Sequence, residues 1–191
     1  MFMSIVDPFP KDKTVTRTIR INKAYDEVLK YEAERHGVSV NTLVDQVLRR
    51  YSHSYRYFDG LSAVTISGKT LERLLSNIPV ENMSELGRAL GEERPKNLLL
   101  LRGLPLDYGS VIWYLTELLG DTSNWYRATY HHREENDILH LSHSLGEGWS
   151  LFLEKYVLAF FKEVLGVTPK TEVLGNSVTF TIDVSKLKKG K

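Results

Sequence analysis

The chain has 191 residues, with 25 Lys and Arg against 24 Asp and Glu and a formal net charge of +1. This length allows one substantial domain, or a small domain and a medium one. The absence of cysteine excludes structural disulfides, thiolate metal sites and thiol nucleophiles. The first residues lack the apolar run of a secretory signal, and no segment is long and apolar enough to span a membrane. We therefore expect a cytoplasmic protein without a membrane partner.

The basic residues are unevenly distributed. Through Phe58 the chain has ten Lys and Arg against seven Asp and Glu, and from Asp59 onward it has fifteen against seventeen. A basic excess confined to the N-terminal piece is expected if only that piece contacts phosphate.

The segment T-V-T-R-T-I-R-I at residues 14–21 alternates apolar and polar side chains, which predicts a short β-strand. One face carries Val15, Ile19 and Ile21, and the other carries Thr16, Thr18 and Arg20. The apolar face should cover the helices that follow, which turns the polar face outward. Arg and Thr are side chains that read base edges in the major groove of DNA. Arg17 falls on the face of the apolar residues. We expect it near the frayed start of the strand, where its side chain can reach a phosphate or an acidic partner.

Two short amphipathic helices follow the predicted strand. Asn22 should cap the first helix and Gly37 should end it, and Ser39 should cap the second. The apolar stripes are Tyr25, Val28, Leu29 and Ala33, then Leu43, Val44, Val47, Leu48 and Tyr51. Helices this short bury too little apolar surface to be stable alone, and a lone strand leaves backbone groups unpaired. Both problems are solved if two copies pair their strands antiparallel, which gives a ribbon that fits the major groove.

The start of the second predicted helix is a candidate phosphate-binding site. A helix start with a small polar cap offers free backbone N–H groups to an anion. We therefore expect Ser39, Val40 and Asn41 to hold the DNA backbone beside the groove.

This N-terminal segment resembles the ribbon-helix-helix regulators, the superfamily of the Arc, methionine and CopG repressors. The resemblance rests on the strand R-T-I-R-I-N, the helix spacing and the linking G-V-S-V-N, and it covers about a fifth of the chain. It implies that Thr16, Thr18 and Arg20 contact bases and that Ser39 to Asn41 contact phosphate. The alternative is a ribbon that only dimerises, or that holds a protein partner as antitoxins do.

The chain after Tyr51 predicts a mixed α+β fold. We expect a flexible arm over residues 1–13, the DNA-binding module over 14–51, a hinge over 52–60, an α+β domain over 61–185 and a basic tail over 186–191. Within the domain the pattern predicts a strand over 62–67 and a helix that stops before Pro79. A second helix should end near Gly91 and a third should run from Tyr108 to Gly120.

Four of the six histidines fall between His131 and His143, in a predicted hairpin around the polar turn 133–137. The expected register pairs Tyr130 with Leu141, His132 with Leu139, His131 with His140 and Thr129 with Ser142. One interpretation is a divalent metal site of His131 and His140, completed by Glu134, Glu135 or a second subunit. The other is a solvated polar face. The layout resembles the nickel-responsive repressor in architecture, although the cysteine ligand of that family does not exist here.

The next pattern is a long apolar helix ended by Gly166, followed by a second hairpin around Gly175-Asn176. This region, with H-S-L-G-E-G-W-S and N-S-V-T-F-T-I, resembles the 4-vinyl-reductase-like ligand domains. That resemblance implies a small hydrophobic effector held among Trp149, Phe152, Tyr156 and Phe160. The alternative is that these aromatic side chains form the core or a dimer interface.

The sequence contains no P-loop, dinucleotide fingerprint or G-x-S-x-G motif, so we expect no enzyme. The function that the patterns favour is a homodimeric regulator, or a dimer of dimers, that binds double-stranded DNA in a sequence-specific manner. Its C-terminal domain would sense a small-molecule or metal effector or add oligomer contacts. No cofactor is expected apart from the divalent ion of the metal interpretation.

Overall fold

A computed structural model describes residues 14–57, 64–133 and 136–187. The chain divides into two compact units, Met1–Ala63 and Val64–Lys191. Helices together with a four-stranded antiparallel sheet confirm the mixed α+β class. No helix among the described residues has the length and apolar character needed to cross a bilayer.

The first unit contains two helices, α1 (Lys23–His36) and α2 (Val40–His53), and a short 3-10 turn (Tyr55–Tyr57). Both predicted caps are confirmed. The Asn22 side chain accepts the N–H of Ala24 at 2.9 Å, and Ser39 Oγ accepts the N–H of Thr42 at 3.0 Å. Gly37 ends α1 with φ 66°, a conformation that glycine adopts without steric cost. The sequence therefore specifies both helix boundaries locally.

Residues 14–22 lie outside any helix or strand, and every one of them is exposed. In the described part of this single chain they pair with no other strand. The predicted ribbon therefore stays a prediction.

The second unit begins with three helical segments. They are α3 (Gly68–Leu75), α4 (Val80–Leu101) and α5 (Tyr108–Trp113), which continues as a π-helix over Tyr114–Thr122. The strand predicted over 62–67 is wrong for residues 64–67, because Ser67 caps α3 through the N–H of Thr70. Residues 62 and 63 lie outside the described residues.

The remaining elements are β1 (Arg127–His131), β2 (Asn136–Ser142), α6 (Glu147–Leu165), β3 (Lys170–Leu174), β4 (Ser177–Asp183) and α7 (Val184–Leu187). The spatial order of the strands is β1-β2-β4-β3, all antiparallel. The predicted hairpin at Gly175-Asn176 is confirmed, since Leu174 and Ser177 pair on either side of this two-residue turn. The predicted end of α6 at Gly166 is confirmed as well.

The core of this unit lies between one face of the sheet and α6. The buried strand residues alternate, as a half-covered sheet requires. They are Asp137, Leu139 and Leu141 on β2 and Val178, Phe180 and Ile182 on β4. The opposite face carries polar side chains for most of its length, among them Thr129, His140 and Thr179 in one row across three strands.

Helix α4 does not end near Gly91, as the sequence predicts, but continues to Leu101. Its buried residues recur every four positions: Met83, Gly87, Gly91, Pro95 and Leu99. A Cβ added at Gly87 or Gly91 would lie 2.3 Å from the carbonyl oxygen of Phe152 or Tyr156 on α6. The glycines therefore let the two helix backbones touch, and this packing outweighs the low helix propensity of glycine and proline.

We expect Gly91→Ala to lower the free energy of unfolding by about 1–3 kcal/mol or more, because the new methyl group must push α4 and α6 apart. In an uncrowded helix the same change would stabilise by up to about 1 kcal/mol, so the sign is informative. Urea denaturation followed by circular dichroism measures the difference. Gly109→Ala is the matched control, since its added Cβ meets only ordinary contact at 3.6 Å and should leave stability unchanged or raised. Equal behaviour of the two variants would disprove the close approach.

Candidate functional site

The predicted DNA-contacting side chains lie on the extended segment before α1. Thr16, Arg17, Thr18 and Arg20 are all exposed, and no ion pair between described residues involves either arginine. The basic and acidic side chains of α1 behave differently, since Lys30 pairs with Asp26 and Arg35 with Glu32. Both arginines of the segment with the predicted base readers therefore carry a charge that no ion pair of the described residues compensates.

The apolar face of the same segment is equally exposed. Val15, Ile19 and Ile21 are 79%, 67% and 45% exposed. The helices behind the segment leave much of their own apolar surface uncovered, with Val28, Val47, Leu48 and Tyr51 each more than half exposed. Of the two predicted stripes only Ala33 is buried, because two short helices in contact cover only part of each other.

The start of α2 has the geometry expected of an anion site. Ser39 Oγ accepts from the Thr42 backbone and also lies 2.8 Å from Thr42 Oγ1. The N–H groups of Val40 and Asn41 belong to the first helical turn, where no carbonyl of the same helix can accept them. Both residues lie at the surface or close to it. Three of the four residues predicted to contact phosphate thus lie at one helix terminus, and the fourth, Arg17, lies on the segment before α1.

The register of the β1–β2 hairpin differs from the predicted one by two residues. Tyr130 lies opposite Leu139, His131 opposite Ile138 and Thr129 opposite His140. The predicted pairing of His131 with His140 is therefore wrong. The physical reason is Asp137, which the sequence places in a polar turn but which is a completely buried residue of β2.

Asp137 is surrounded by hydrogen-bond donors. Its Oδ2 accepts from the hydroxyls of Tyr108, at 2.6 Å, and Tyr130. Its Oδ1 contacts His132 Nδ1 at 2.7 Å and accepts the backbone N–H of Arg133 at 3.3 Å. Burial alone would raise the pKa of this carboxyl, but the hydrogen bonds outweigh burial and hold the pKa below its ordinary value. Asp137 is therefore a satisfied, ionised carboxylate, and it anchors the hairpin to α5.

The sequence reasoning missed this cluster, although a signal for it was present. Asp137 lies two residues before Leu139 and four before Leu141, so the alternation of β2 places it on the same buried face. The sequence pattern places Tyr108 at a helix start and Tyr130 in a hairpin, and it does not connect either hydroxyl with Asp137. Their hydroxyls serve the carboxylate, and burial together with the hydrogen bond to Asp137 raises the pKa of each.

The other histidines of the hairpin have separate partners. His140 Nδ1 lies 2.9 Å from Thr179 Oγ1, and His143 Nε2 lies 2.9 Å from Ser150 Oγ. Within the ranges that the structure describes, no three histidine or carboxylate side chains are grouped as a metal site requires. Glu134 and Glu135, which the metal interpretation also names, lie outside the described residues.

His143 and Ser150 have the spacing of a nucleophile and a base, but the hydrogen directions are wrong for that chemistry. His143 Nδ1 accepts the backbone N–H of Leu145, so its ring hydrogen is on Nε2 and donates to Ser150. The Ser150 hydroxyl in turn donates to the carbonyl of Gly175 at 2.7 Å. This chain of hydrogen bonds ties the end of β2 to α6 and to the β3–β4 turn.

The predicted ligand-binding aromatics are close together in the core. Trp149, Phe152, Tyr156 and Phe160 are all buried. The rings of Trp149 and Phe152 stack at 4.5 Å, and Trp125 packs against three members of the group at 5.3–6.1 Å. The predicted ligand-binding side chains are therefore part of the packed aromatic core of the unit.

A comparison of the chain with protein-family models, with curated proteins and with solved structures finds no match.

We expect the protein to lose stability as the pH falls from about 6.5 to about 4, because of His143. Burial lowers the pKa of this histidine from 6.5 to about 4. Between these values the unfolded chain binds a proton that the folded chain does not, so acid favours unfolding. The stabilisation is fully present above pH 6.5 and is lost on the way to pH 4.

Denaturation curves at stepped pH measure this effect. His143→Gln should flatten the dependence of the unfolding free energy on pH in this window, whereas the exposed control His131→Gln should keep the wild-type slope. An unchanged slope in His143→Gln would contradict the assignment.

Proposed function

We propose that the protein is a homodimeric, sequence-specific DNA-binding regulator whose first unit is a ribbon-helix-helix module. The observation that carries this proposal is the alternating segment before α1. Its polar face holds Thr16, Thr18 and Arg20, and its apolar face is not covered by its own chain.

A second copy is the partner that fits this surface best. Two antiparallel copies of the segment would satisfy each other's backbone groups and place their apolar side chains on the same side. That side would then cover the exposed residues of α1 and α2, among them Val28, Val47 and Leu48. The same chain therefore supplies both the uncovered surface and the element that covers it.

Double-stranded DNA is the ligand that fits the opposite face. A two-stranded ribbon enters the major groove, where arginine pairs with guanine and threonine contacts either a hydrogen-bonding edge or a thymine methyl group. The α2 termini of the two copies, with Ser39, Val40 and Asn41, would hold phosphates on either side. Arg17 would add a backbone contact. Two-fold symmetry of the dimer requires a near-palindromic operator, repeated if dimers associate into a dimer of dimers.

The second unit would supply regulation or further oligomer contacts. It is a compact unit with its own core of buried side chains. A small-molecule effector bound there would change DNA affinity only as far as it binds the DNA-bound and free states unequally.

We expect Arg20→Ala to weaken binding to the selected operator by about 1–3 kcal/mol and to relax the base preference at one position, because a bidentate arginine–guanine contact is lost. Fluorescence anisotropy on operator variants measures both effects. Arg35→Ala removes the same charge from the far end of α1, where Arg35 pairs with Glu32, and should leave the base preference intact. An equal loss on every DNA sequence in Arg20→Ala would assign Arg20 to phosphate instead.

The affinity of the 191-residue chain for duplex DNA should fall steeply as the salt concentration rises, because neutralised phosphates release counterions. Titration of one labelled duplex at 50 and 200 mM salt checks this, with a scrambled duplex as control. A module that only dimerises or holds a protein partner would give no saturable binding at either salt concentration, and that result would end the proposal.

A further inference from the structure

The pair formed by His132 and Asp137 combines an exposed imidazole with a buried carboxylate. The His132 side chain is 73% exposed, the carboxylate is 0% exposed, and 2.7 Å separates Nδ1 from Oδ1. The carboxylate itself is held by Tyr108, Tyr130 and the Arg133 backbone. His132 is therefore attached through one ring nitrogen to a fixed anchor, while the rest of the ring faces solvent.

This arrangement determines which nitrogen carries the hydrogen. An ionised carboxylate only accepts hydrogen bonds, so Nδ1 of His132 must donate its hydrogen to Asp137. In the neutral ring the lone pair then lies on Nε2, the atom that the carboxylate does not occupy. Any electrophile that bonds to Nε2 makes the ring cationic, and the carboxylate beside Nδ1 stabilises that charge.

We propose that His132 is a modification site that accepts a phosphoryl group at Nε2. A metal ion would also use this lone pair, but metal sites need several protein ligands and no suitable group of three exists among the described residues. A phosphoryl group needs one nucleophilic atom. The next residue, Arg133, is exposed and is of the type that pairs with phosphate.

The transfer balances with a small N-phosphoryl donor such as phosphoramidate. A bond forms between His132 Nε2 and phosphorus, the phosphorus–nitrogen bond of the donor breaks, and ammonia leaves. The ring keeps its Nδ1 hydrogen and becomes cationic next to the Asp137 carboxylate. The added dianion changes the charge of the hairpin, which is the usual way in which phosphorylation acts on a protein.

The test uses the 191-residue chain incubated with phosphoramidate, with site-resolved mass spectrometry under conditions that preserve phosphohistidine. His131 is the internal reference, because it is exposed, adjacent and makes no ring hydrogen bond among the described residues. We expect His132 to be phosphorylated about tenfold faster than His131. Loss of the partner that orients a metal-binding histidine lowers affinity or activity by about 10–100-fold, and tenfold is the lower end of that range. Equal rates at His131 and His132, or reaction at other histidines only, would overturn the proposal.

Two further measurements distinguish the effect of the Asp137 carboxylate on His132 from the effect of solvent exposure alone. Asp137→Asn should bring the rate at His132 down to that of His131, and an unchanged rate in a folded variant would overturn the role of the carboxylate. Because this variant can lose its fold, the ring nitrogen spectrum of ¹⁵N-histidine-labelled wild-type protein provides an independent readout. We expect His132 to carry its hydrogen on Nδ1, and a hydrogen on Nε2 in the neutral ring would refute the proposal.

Discussion

The apolar surface of the first unit is the constraint on which the functional account depends. One chain leaves Val15, Ile19 and several residues of α1 and α2 exposed. Exposed apolar area of this kind is unfavourable in water, and contiguous patches mark interaction sites. The polar face of the same segment carries arginine and threonine. A second copy would cover the apolar face and orient the polar one, so the proposed dimerisation and the proposed DNA recognition would both follow from one arrangement of side chains.

The second unit differs from the first, because it has a large core of buried apolar side chains within one chain. The backbone contact of α4 with α6 and the sheet behind α6 enclose a continuous apolar core. Two of its interior polar clusters are also satisfied within the unit. Asp137 receives four hydrogen bonds, and His143 and Ser150 form a directed chain to Gly175. Such satisfied networks favour a single register and a single packing of the unit.

Local features were predictable from the sequence, and features set by tertiary contacts were not. Asn22, Ser39 and Gly166 act within one turn of their own position, so the helix boundaries that they set are confirmed. The low helix propensity of Gly91 predicts a helix end because propensity is a local property, whereas the residue in fact lets the backbone of α6 approach α4. The candidate DNA-contacting face could be named from alternation alone. The Asp137 cluster could not be predicted from the sequence, because its hydrogen-bond donors come from α5, β1 and the hairpin loop.

The two-chain ribbon can be tested most directly by cysteine cross-linking, since the chain has no cysteine of its own. Single cysteines would be placed at each position from 15 to 21, and covalent dimer would be measured after mild oxidation. Antiparallel pairing over this length places position 18 opposite itself, where opposite Cβ atoms are about 4.5–5.5 Å apart. We predict a maximum at or next to Thr18→Cys that far exceeds the exposed helix control Lys30→Cys. A flat profile at the level of that control would contradict the account.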